Sequence, residues 1–370
     1  MDSIYECALA LSEGLEATAS AVSRVVGQTS ADAAAWAFGQ WDLRRRARTK
    51  FARSDQMLFV QEALEQSTHE GVAGYHASLY PAGKLVADLT AGIGADLIAL
   101  AGRGPALGFE LDPVRADYAR HNVSVHGLDA TVFTADCLEG DWEFEFAIAD
   151  PARRVDGRRT LDPSEFEPDP VLLAERFVNL RMGVMKLSPL LPDDILTSLG
   201  VGLEFVSFGG ECREALVFAG SEAPHGRSAV HVGSGERLTS SDAPVGASEP
   251  AAYLFDCDPA LVRAHAVGTL CSRHGLAPLG DSIGYLTGPD LVKSPWLRSY
   301  RIRYSGKGDA KTTKRALRDL DARVFEVKQR GVKADPARLM KELAYGGSTP
   351  LSLALWTDGP SVRHLLLEAV

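Results

Sequence analysis

A short apolar run that breaks at two glycines constrains this chain more than any other feature. Leu85-Val-Ala-Asp88 is apolar up to its last residue, Gly92-Ile-Gly94 follows, and apolar residues at helical spacing continue to Leu100. This pattern predicts a strand, a glycine turn and a helix, which is the first unit of a nucleotide-binding α/β fold. We therefore expect a parallel sheet with ligand-binding residues at the carboxyl ends of its strands.

Asp88 indicates which kind of nucleotide such a site could take. An acid beside the glycine turn would repel the pyrophosphate of a dinucleotide, and Leu97 stands where the third glycine of the dinucleotide motif would fall. S-adenosylmethionine (SAM) carries an ammonium group and a sulfonium and has no phosphate. The inferred cofactor is therefore SAM.

Three further acids follow further predicted strands. Glu110 lies twenty-two residues after Asp88, close to the spacing at which such folds place a ribose-binding acid. Asp136 follows the third strand, where an acid can accept the exocyclic amine of adenine, and Asp150-Pro151 follows the fourth. A lone acid after a strand usually caps a turn or a helix, but four in this order form a much more specific pattern. The predicted strands after the first are 106–111, 131–134, 144–149, 182–187, 203–208 and 215–218.

In order and spacing, these residues resemble the motifs of the class I SAM-dependent methyltransferase family. The resemblance implies that Asp88 and the backbone of Gly92 and Gly94 hold the methionine end of SAM, Glu110 the ribose, and Asp136 the adenine. It also implies that Asp150 faces the methyl acceptor. The predicted cofactor-binding residues are Asp88, Thr90, Gly92, Gly94, Glu110, Leu111, Asp136 and Cys137, and the predicted catalytic residues are Asp150, Pro151 and Arg153.

The acceptor motif departs from the pattern that it resembles. Methyltransferases that act on base amines usually have Asp or Asn, then Pro-Pro, then an aromatic residue that stacks on the base. Here Ala152 and Arg153 replace the second proline and the aromatic ring. A guanidinium plane can stack on a base or pair with a phosphate, so a nucleotide acceptor stays compatible with this site.

Three polar residues near these motifs have simpler interpretations. Lys186 or Ser188, at the end of the fifth strand, could reach the acceptor, but a loop that only closes the fold is the preferred interpretation. Asp96 falls in the first turn of the helix after the glycine turn, where an acid is favoured by the helix dipole.

The beginning of the chain predicts a helical region over residues 1–80. Ala31 to Arg48 is one expected helix, with a basic C-terminal end. Another is expected after Ser54, as N-cap, because Met57, Leu58, Val60 and Leu64 recur at helical spacing. This region has no catalytic pattern.

The end of the chain predicts a small α/β domain with a basic surface. We expect a SAM-binding domain over 81–235, a Ser/Gly/Pro-rich linker over 236–249 and a C-terminal domain over 250–370. Within the last we expect strands at 252–257, 294–304, 323–330 and 351–356, the last of the chain, and helices at 259–274, 310–320 and 336–344.

This tail after such a core resembles bacterial methyltransferases with a THUMP-like C-terminal domain. The core is also distantly similar to the RNA cap guanine-N2 methyltransferases. The resemblance covers the chain from about Lys50 onward, and the residues that carry it are Asp88-Leu-Thr-Ala-Gly-Ile-Gly94, Asp150-Pro-Ala-Arg153, Ser294-Pro295 and Lys328-Gln-Arg-Gly331. Because THUMP domains bind structured RNA, it implies an RNA substrate, with tRNA the first candidate.

The charge distribution fits a local contact with a polyanion. Net charge is −10, which argues against a protein that coats nucleic acid, but residues 293–341 hold fifteen Lys or Arg against five Asp or Glu. Smaller basic clusters lie at 44–53 and 153–159. For any one cluster, a solvated helix face is the simpler interpretation. We expect RNA to be the partner, through the 293–341 segment.

Cysteine usage and hydropathy favour a cytoplasmic protein. The five cysteines include no C-x-x-C pair, so reduced thiols and no metal site are expected. Neither a secretory leader nor an apolar run of membrane-spanning length is present, so no membrane partner is expected.

Taken together, the sequence predicts an α/β fold: a Rossmann-like class I methyltransferase sheet, an N-terminal helical region and a small C-terminal α/β (THUMP-like) domain. The predicted function is SAM-dependent methylation of a base nitrogen in RNA. A small-molecule or protein methyltransferase is one alternative. A catalytically inactive RNA-binding homologue is another.

Overall fold

The chain forms two compact units. The computed structural model describes residues 3–153, 162–240, 246–280 and 284–370. The first unit comprises Met1–Leu187, Leu191–Val201 and Val217–Pro224, and the second comprises Ser188–Leu190, Gly202–Leu216 and His225–Val370.

Helices open the first unit, as expected for residues 1–80. They are α1 (Ser3–Leu11), α2 (Ala19–Val26), α3 (Ala31–Ala47), α4 (Gln61–Gln66) and α5 (Glu70–Ser78). The longest, α3, begins where predicted because the Ser30 side chain accepts the Ala33 N–H and so satisfies one of the unpaired donors of its first turn.

The N-cap predicted at Ser54 is wrong, because the helix that follows it begins later than expected. The segment from Met57 to Phe59 precedes α4, which begins only at Gln61, and all three of its side chains are buried. Side-chain amides bind its backbone in place of helical hydrogen bonds. Asn122 accepts the Leu58 N–H at 2.8 Å and donates to the Leu58 carbonyl at 3.0 Å, and Gln40 makes the equivalent pair with Phe59. A run of consecutive apolar residues is thus buried outside any helix or strand, with side-chain amides satisfying its backbone groups.

A parallel sheet forms the centre of the first unit and confirms the predicted fold class. The strands are β1 (Val86–Asp88), β2 (Ala106–Glu110), β3 (Thr131–Thr134), β4 (Phe146–Ala149), β5 (Ala152–Arg153), β6 (Phe166–Glu167) and β7 (Met182–Leu187). Five of them pair in the order β3-β2-β1-β4-β7, all parallel. The helices between and after them are α6 (Ala95–Ala101), α7 (Pro113–Val125), α8 (Pro170–Phe177) and α9 (Asp193–Ser198).

The second unit has its own large sheet. Its strands and helices, with one strand that ends in the first unit, are β8 (Gly202–Phe208), β9 (Glu211–Ala219), β10 (Gly226–His231), β11 (Glu236–Thr239), β12 (Tyr253–Cys257), α10 (Pro259–Arg263), α11 (Val267–His274), β13 (Ala277–Pro278), β14 (Tyr285–Gly288), β15 (Leu297–Lys307), α12 (Ala310–Asp319), β16 (Ala322–Gln329), α13 (Pro336–Glu342), β17 (Thr349–Asp358) and β18 (Ser361–Ala369). Seven strands pair in the order β13-β14-β12-β15-β18-β17-β16.

Several elements of the second unit differ from the expectation, and β10, β13 and β14 were not predicted at all. The strand β11 occupies the start of the segment for which a linker was predicted. The single helix expected over 259–274 is two helices, because His265 has a left-handed backbone (φ 54°) between them. The strand β18 follows the one that was predicted to be the last.

Within the described ranges, no helix combines the length and the apolar character that crossing a bilayer requires.

Candidate functional site

The sheet order places the ends of β1 and β4 side by side at a point where the strand order reverses. From β1 the chain proceeds outward through β2 to β3, and then returns to the other side of β1 as β4. Open α/β sheets bind ligands at such a point, outside the carboxyl ends of the strands. Asp88 ends β1 and Asp150 directly follows β4, so both predicted acids lie there.

The turn after β1 needs its glycines. Gly92 and Gly94 have φ values of 55° and 90°, which residues with a side chain rarely adopt. A Cβ at Gly94 would also lie 3.3 Å from the Cα of Ala119 in α7. The glycine turn therefore packs tightly against the neighbouring helix and presents backbone at the strand end.

Glu110 lies against this turn. One of its carboxylate oxygens, Oε2, accepts the Gly92 N–H at 2.8 Å, and Oε1 accepts the Asp112 N–H at 2.9 Å. The predicted ribose-binding acid and the predicted methionine-binding turn are thus brought together from β1 and β2.

The residues that follow β2 and β3 include both apolar and polar side chains. Leu111, directly after Glu110, is 53% exposed although it is apolar. Asp136 accepts the Leu138 N–H at 2.8 Å, which shapes the turn after β3. Cys137 is buried, and burial raises the pKa of its thiol to about 12, so it is an inert apolar neighbour and not a nucleophile.

Thr90 connects the two acids at the reversal point. Its backbone N–H donates to Oδ1 of Asp88 at 3.1 Å, and its hydroxyl oxygen accepts the Asp150 N–H at 2.6 Å. The position of the acid after β4 is therefore fixed relative to the acid at the end of β1.

Asp88 is buried, with 3% of its surface exposed. Burial, followed by the negative charge of Asp96, raises the pKa of Asp88 to about 7, against the opposing charge of Lys186. A buried carboxylate of this kind is stabilised in its charged form when a cation binds beside it.

A buried ionic cluster lies next to these acids, and the sequence analysis did not identify it. The ammonium of Lys186, in β7, lies 2.6 Å from Asp96 and 2.9 Å from Asp150. His76 of α5 contacts the other oxygen of Asp96 at 2.7 Å. The helix dipole is therefore an insufficient explanation of Asp96, and Lys186 does more than close a loop.

The cluster left one signal in the sequence. Lys186 interrupts Met182-Gly-Val-Met-Lys-Leu187, an apolar run typical of a strand buried on both faces, where a lysine requires a charged partner. The partners themselves could not be identified, because Asp96 and His76 are distant in sequence.

Of the other residues predicted on the acceptor side, the structure describes Pro151 fully and Arg153 only in part. Pro151 is buried next to Asp150, whose side chain is 47% exposed. The prediction for Arg153 concerns its side chain, which lies outside the described part of the chain. The other arginines of the 153–159 cluster are also outside the described residues.

The 44–53 cluster is bound within the protein. Arg44 is buried and donates to the Met57 carbonyl at 2.8 Å, Lys50 donates to three backbone carbonyls, and Arg46 and Arg48 pair with carboxylates. These intramolecular contacts argue against a polyanion contact through that cluster, and because Arg44 is buried, a solvated helix face does not describe all of it either.

Comparison with known proteins agrees with the sheet and the tail. Residues 297–368 match the family model described as THUMP domain-like. Two Mycobacterium tuberculosis proteins, from strains CDC 1551 and H37Rv, are each 34% identical over 347 residues, which cover 90% of this chain and 96% of the relative. Both are described as uncharacterized S-adenosylmethionine-dependent methyltransferases. A crystal structure from Porphyromonas gingivalis W83, assigned as a methyltransferase, shares the fold with a TM-score of 0.78 and 22% identity, covering 100% of this chain and 98% of that one.

Proposed function

This chain belongs to the family of SAM-dependent methyltransferases, and from that premise we propose that it methylates a base nitrogen of RNA, with tRNA the first substrate to test. SAM is the methyl donor, which supplies an electrophilic methyl group on a sulfonium. The proposal concerns the acceptor and the residues that act on it.

The carboxylates and the apolar side chain at the strand ends suit the chemical groups of SAM. Asp88 offers a buried carboxylate to the ammonium of the methionine end, beside the backbone of the glycine turn. The Glu110 carboxylate can accept two ribose hydroxyls, Leu111 offers an exposed apolar surface to adenine, and Asp136 can accept its amine. Along the chain, these residues come in the same order as the methionine, ribose and adenine groups of SAM to which they are assigned.

Glu110→Ala should weaken SAM binding about 10- to 100-fold, because two hydrogen bonds to a charged acceptor are lost. Isothermal calorimetry with SAM measures this. Glu143→Ala, which removes an exposed acid before β4, is the matched control and should bind normally. An unchanged SAM affinity in Glu110→Ala would refute the ribose role.

The position of Asp150 is the observation that carries the acceptor assignment. Its backbone is held by Thr90 at 2.6 Å, its carboxylate is held by Lys186 at 2.9 Å, and 47% of its side chain is exposed. A fixed, accessible carboxylate can accept the hydrogens of an amine and orient the nitrogen lone pair towards the methyl group. If the methyl acceptor were already an anion, it would have no such hydrogens, and no carboxylate would be needed to accept them.

RNA as the acceptor is supported by the basic surface of the second unit. Lys311, Arg315 and Arg318 lie on the exposed face of α12, while Thr313, Ala316 and Leu317 are buried on the other. Lysines and arginines on one helix face form the kind of surface that contacts a phosphate backbone.

The acceptor class is tested by transfer of a labelled methyl group from SAM to cell extracts separated into RNA, protein and small molecules. The expected result is label in RNA, and mass spectrometry of the digested nucleosides then shows an N-methylated base. Label confined to protein or small molecules would refute the RNA assignment while leaving the methyltransferase family intact.

Lys311→Glu with Arg315→Glu should weaken RNA binding at least about tenfold and lower the salt dependence of log Kd by roughly 1.5, because two phosphate contacts are lost. A filter-binding titration with unfractionated tRNA at several salt concentrations measures both. Arg24→Glu with Lys84→Glu makes the same charge change at exposed residues of the first unit and should leave binding nearly unchanged. Equal losses in the two pairs would indicate only a general charge effect.

A further inference from the structure

The ammonium of Lys186 is surrounded by oxygen atoms. It lies 2.6 Å from Oδ2 of Asp96, 2.9 Å from Oδ2 of Asp150 and 2.8 Å from the hydroxyl of Thr68. Each of these oxygens can accept a hydrogen bond from a protonated lysine. Only 5% of the Lys186 side chain is exposed, so its charge is held by protein groups and hardly by water.

The cluster continues inward from Lys186. Asp96 accepts the Thr68 hydroxyl at 2.9 Å and contacts Nδ1 of His76, which is fully buried, at 2.7 Å. Burial alone would raise the pKa of Asp96, but Lys186 and His76 hold it well below its ordinary value, so Asp96 is a permanent anion that anchors the lysine. The contacts therefore run from the interior, through Asp96 and Lys186, to the half-exposed carboxylate of Asp150.

A purely stabilising role is a poor explanation of this cluster. Burying charged groups costs several kcal/mol per ion, and replacing buried ion pairs by apolar residues is often neutral or favourable. The Lys186 charge is instead aimed at one accessible carboxylate, at the point where the sheet binds its ligands.

We propose that Lys186 is a positioning residue for methyl transfer: it fixes the Asp150 carboxylate in place, while Asp96 and His76 hold Lys186. The inference rests on the proposed role of Asp150 at the acceptor. With its backbone bound by Thr90 and its side chain bound by Lys186, Asp150 has little freedom, and the acceptor nitrogen meets a preorganised group.

The test measures methyl transfer by full-length variants with labelled SAM. The acceptor is unfractionated RNA, or the protein or small-molecule fraction if the unmodified chain labels that instead. With saturating SAM, Lys186→Met should lower kcat about 100-fold, while KM for the acceptor changes by less than about threefold. Kd for SAM should rise, because the Lys186 charge no longer opposes the rise in the pKa of Asp88. A simply structural lysine would reduce the amount of folded protein and leave kcat per folded molecule unchanged.

Lys50→Met is the matched control. The Lys50 ammonium also binds three oxygens, the carbonyls of Leu64, Glu65 and Ser67, between 2.7 and 3.0 Å away. Its removal also takes an ammonium away from three oxygens, but kcat per folded molecule should stay at the level of the unmodified protein.

A double variant decides whether Lys186 acts through Asp150. If it does, Lys186→Met with Asp150→Asn should be no slower than Asp150→Asn alone. Multiplied losses would overturn the proposal, and so would an unchanged kcat in Lys186→Met. If Lys186→Met does not fold, Lys186→Arg keeps the charge and should lower kcat about tenfold with the same lack of additivity.

The two proposals fail in different ways. A normal rate in Asp150→Asn would refute the role of Asp150 itself, and with it the role of Lys186. A slow Asp150→Asn beside a fast Lys186→Met would refute only the role of Lys186.

Discussion

Asp150→Ala should lower the rate of methyl transfer by at least about 10³-fold and leave Kd for SAM within about threefold of its present value. The carboxylate orients the acceptor nitrogen, and loss of an orienting and hydrogen-accepting group affects the transition state far more than the binding of the other substrate. Lys186 keeps Asp96 as a partner in this variant, at 2.6 Å, so the interior should stay folded.

Single-turnover transfer of labelled methyl groups and calorimetry with SAM separate the two effects. Asp150→Asn preserves the shape of the side chain and serves as the matched variant, with a smaller loss. If SAM binding disappeared together with activity, Asp150 would belong to the cofactor side of the site and our assignment would be wrong.

Asp88→Asn should weaken SAM binding at least about 100-fold, because a buried carboxylate beside an ammonium is replaced by a neutral amide. The same change should stabilise the ligand-free protein at pH 8 by roughly 1–2 kcal/mol. A carboxyl whose pKa rises on folding, here from 3.8 to about 7, favours the folded state when protonated and opposes it when ionised. Thermal melts with and without SAM measure both consequences.

The pH dependence gives a second check on Asp88. SAM affinity of the unmodified protein should fall about tenfold per unit below pH 7, as Asp88 takes up its proton. Asp88→Asn should lack this decline between pH 5 and 7. In the absence of SAM, the contribution of Asp88 to stability should increase as the pH falls from 8 towards 4. A decline shared by both proteins would exclude Asp88 as its source.

The sequence predicted well what depends on neighbouring residues. The strands at Thr131–Thr134 and Met182–Leu187 were predicted to the residue, since each is a short run with a clear boundary. The positions of the predicted site acids follow from the same logic, because a residue at the end of a parallel strand lies at the ligand edge of the sheet whatever lies around it, and their roles stay a prediction.

What depends on distant partners could not be predicted in this way. The sequence of Met57 to Phe59 fits a helical pattern. In the structure, however, the side-chain amides of Gln40 and Asn122 bind their backbone. In the sequence, Asp96 resembles an ordinary acid in the first turn of a helix. In the structure it forms an ion pair with Lys186, which lies ninety residues later in the chain. At Met57 to Phe59, tertiary hydrogen bonds override local propensity, whereas at Asp96 the predicted helix forms and a tertiary ion pair is added to it.

The division of the chain also bears on how a protein like this can change over evolutionary time. Six segments alternate between the units, and the second unit takes Gly202–Leu216 from the middle of the chain as well as His225–Val370 from its end. A recombination break at residues 236–249 would separate Ser188–Leu190, Gly202–Leu216 and β10 from the remainder of the second unit. Neither product would contain the whole second unit, so gene fusion or fission at that place would leave both products with an incomplete domain.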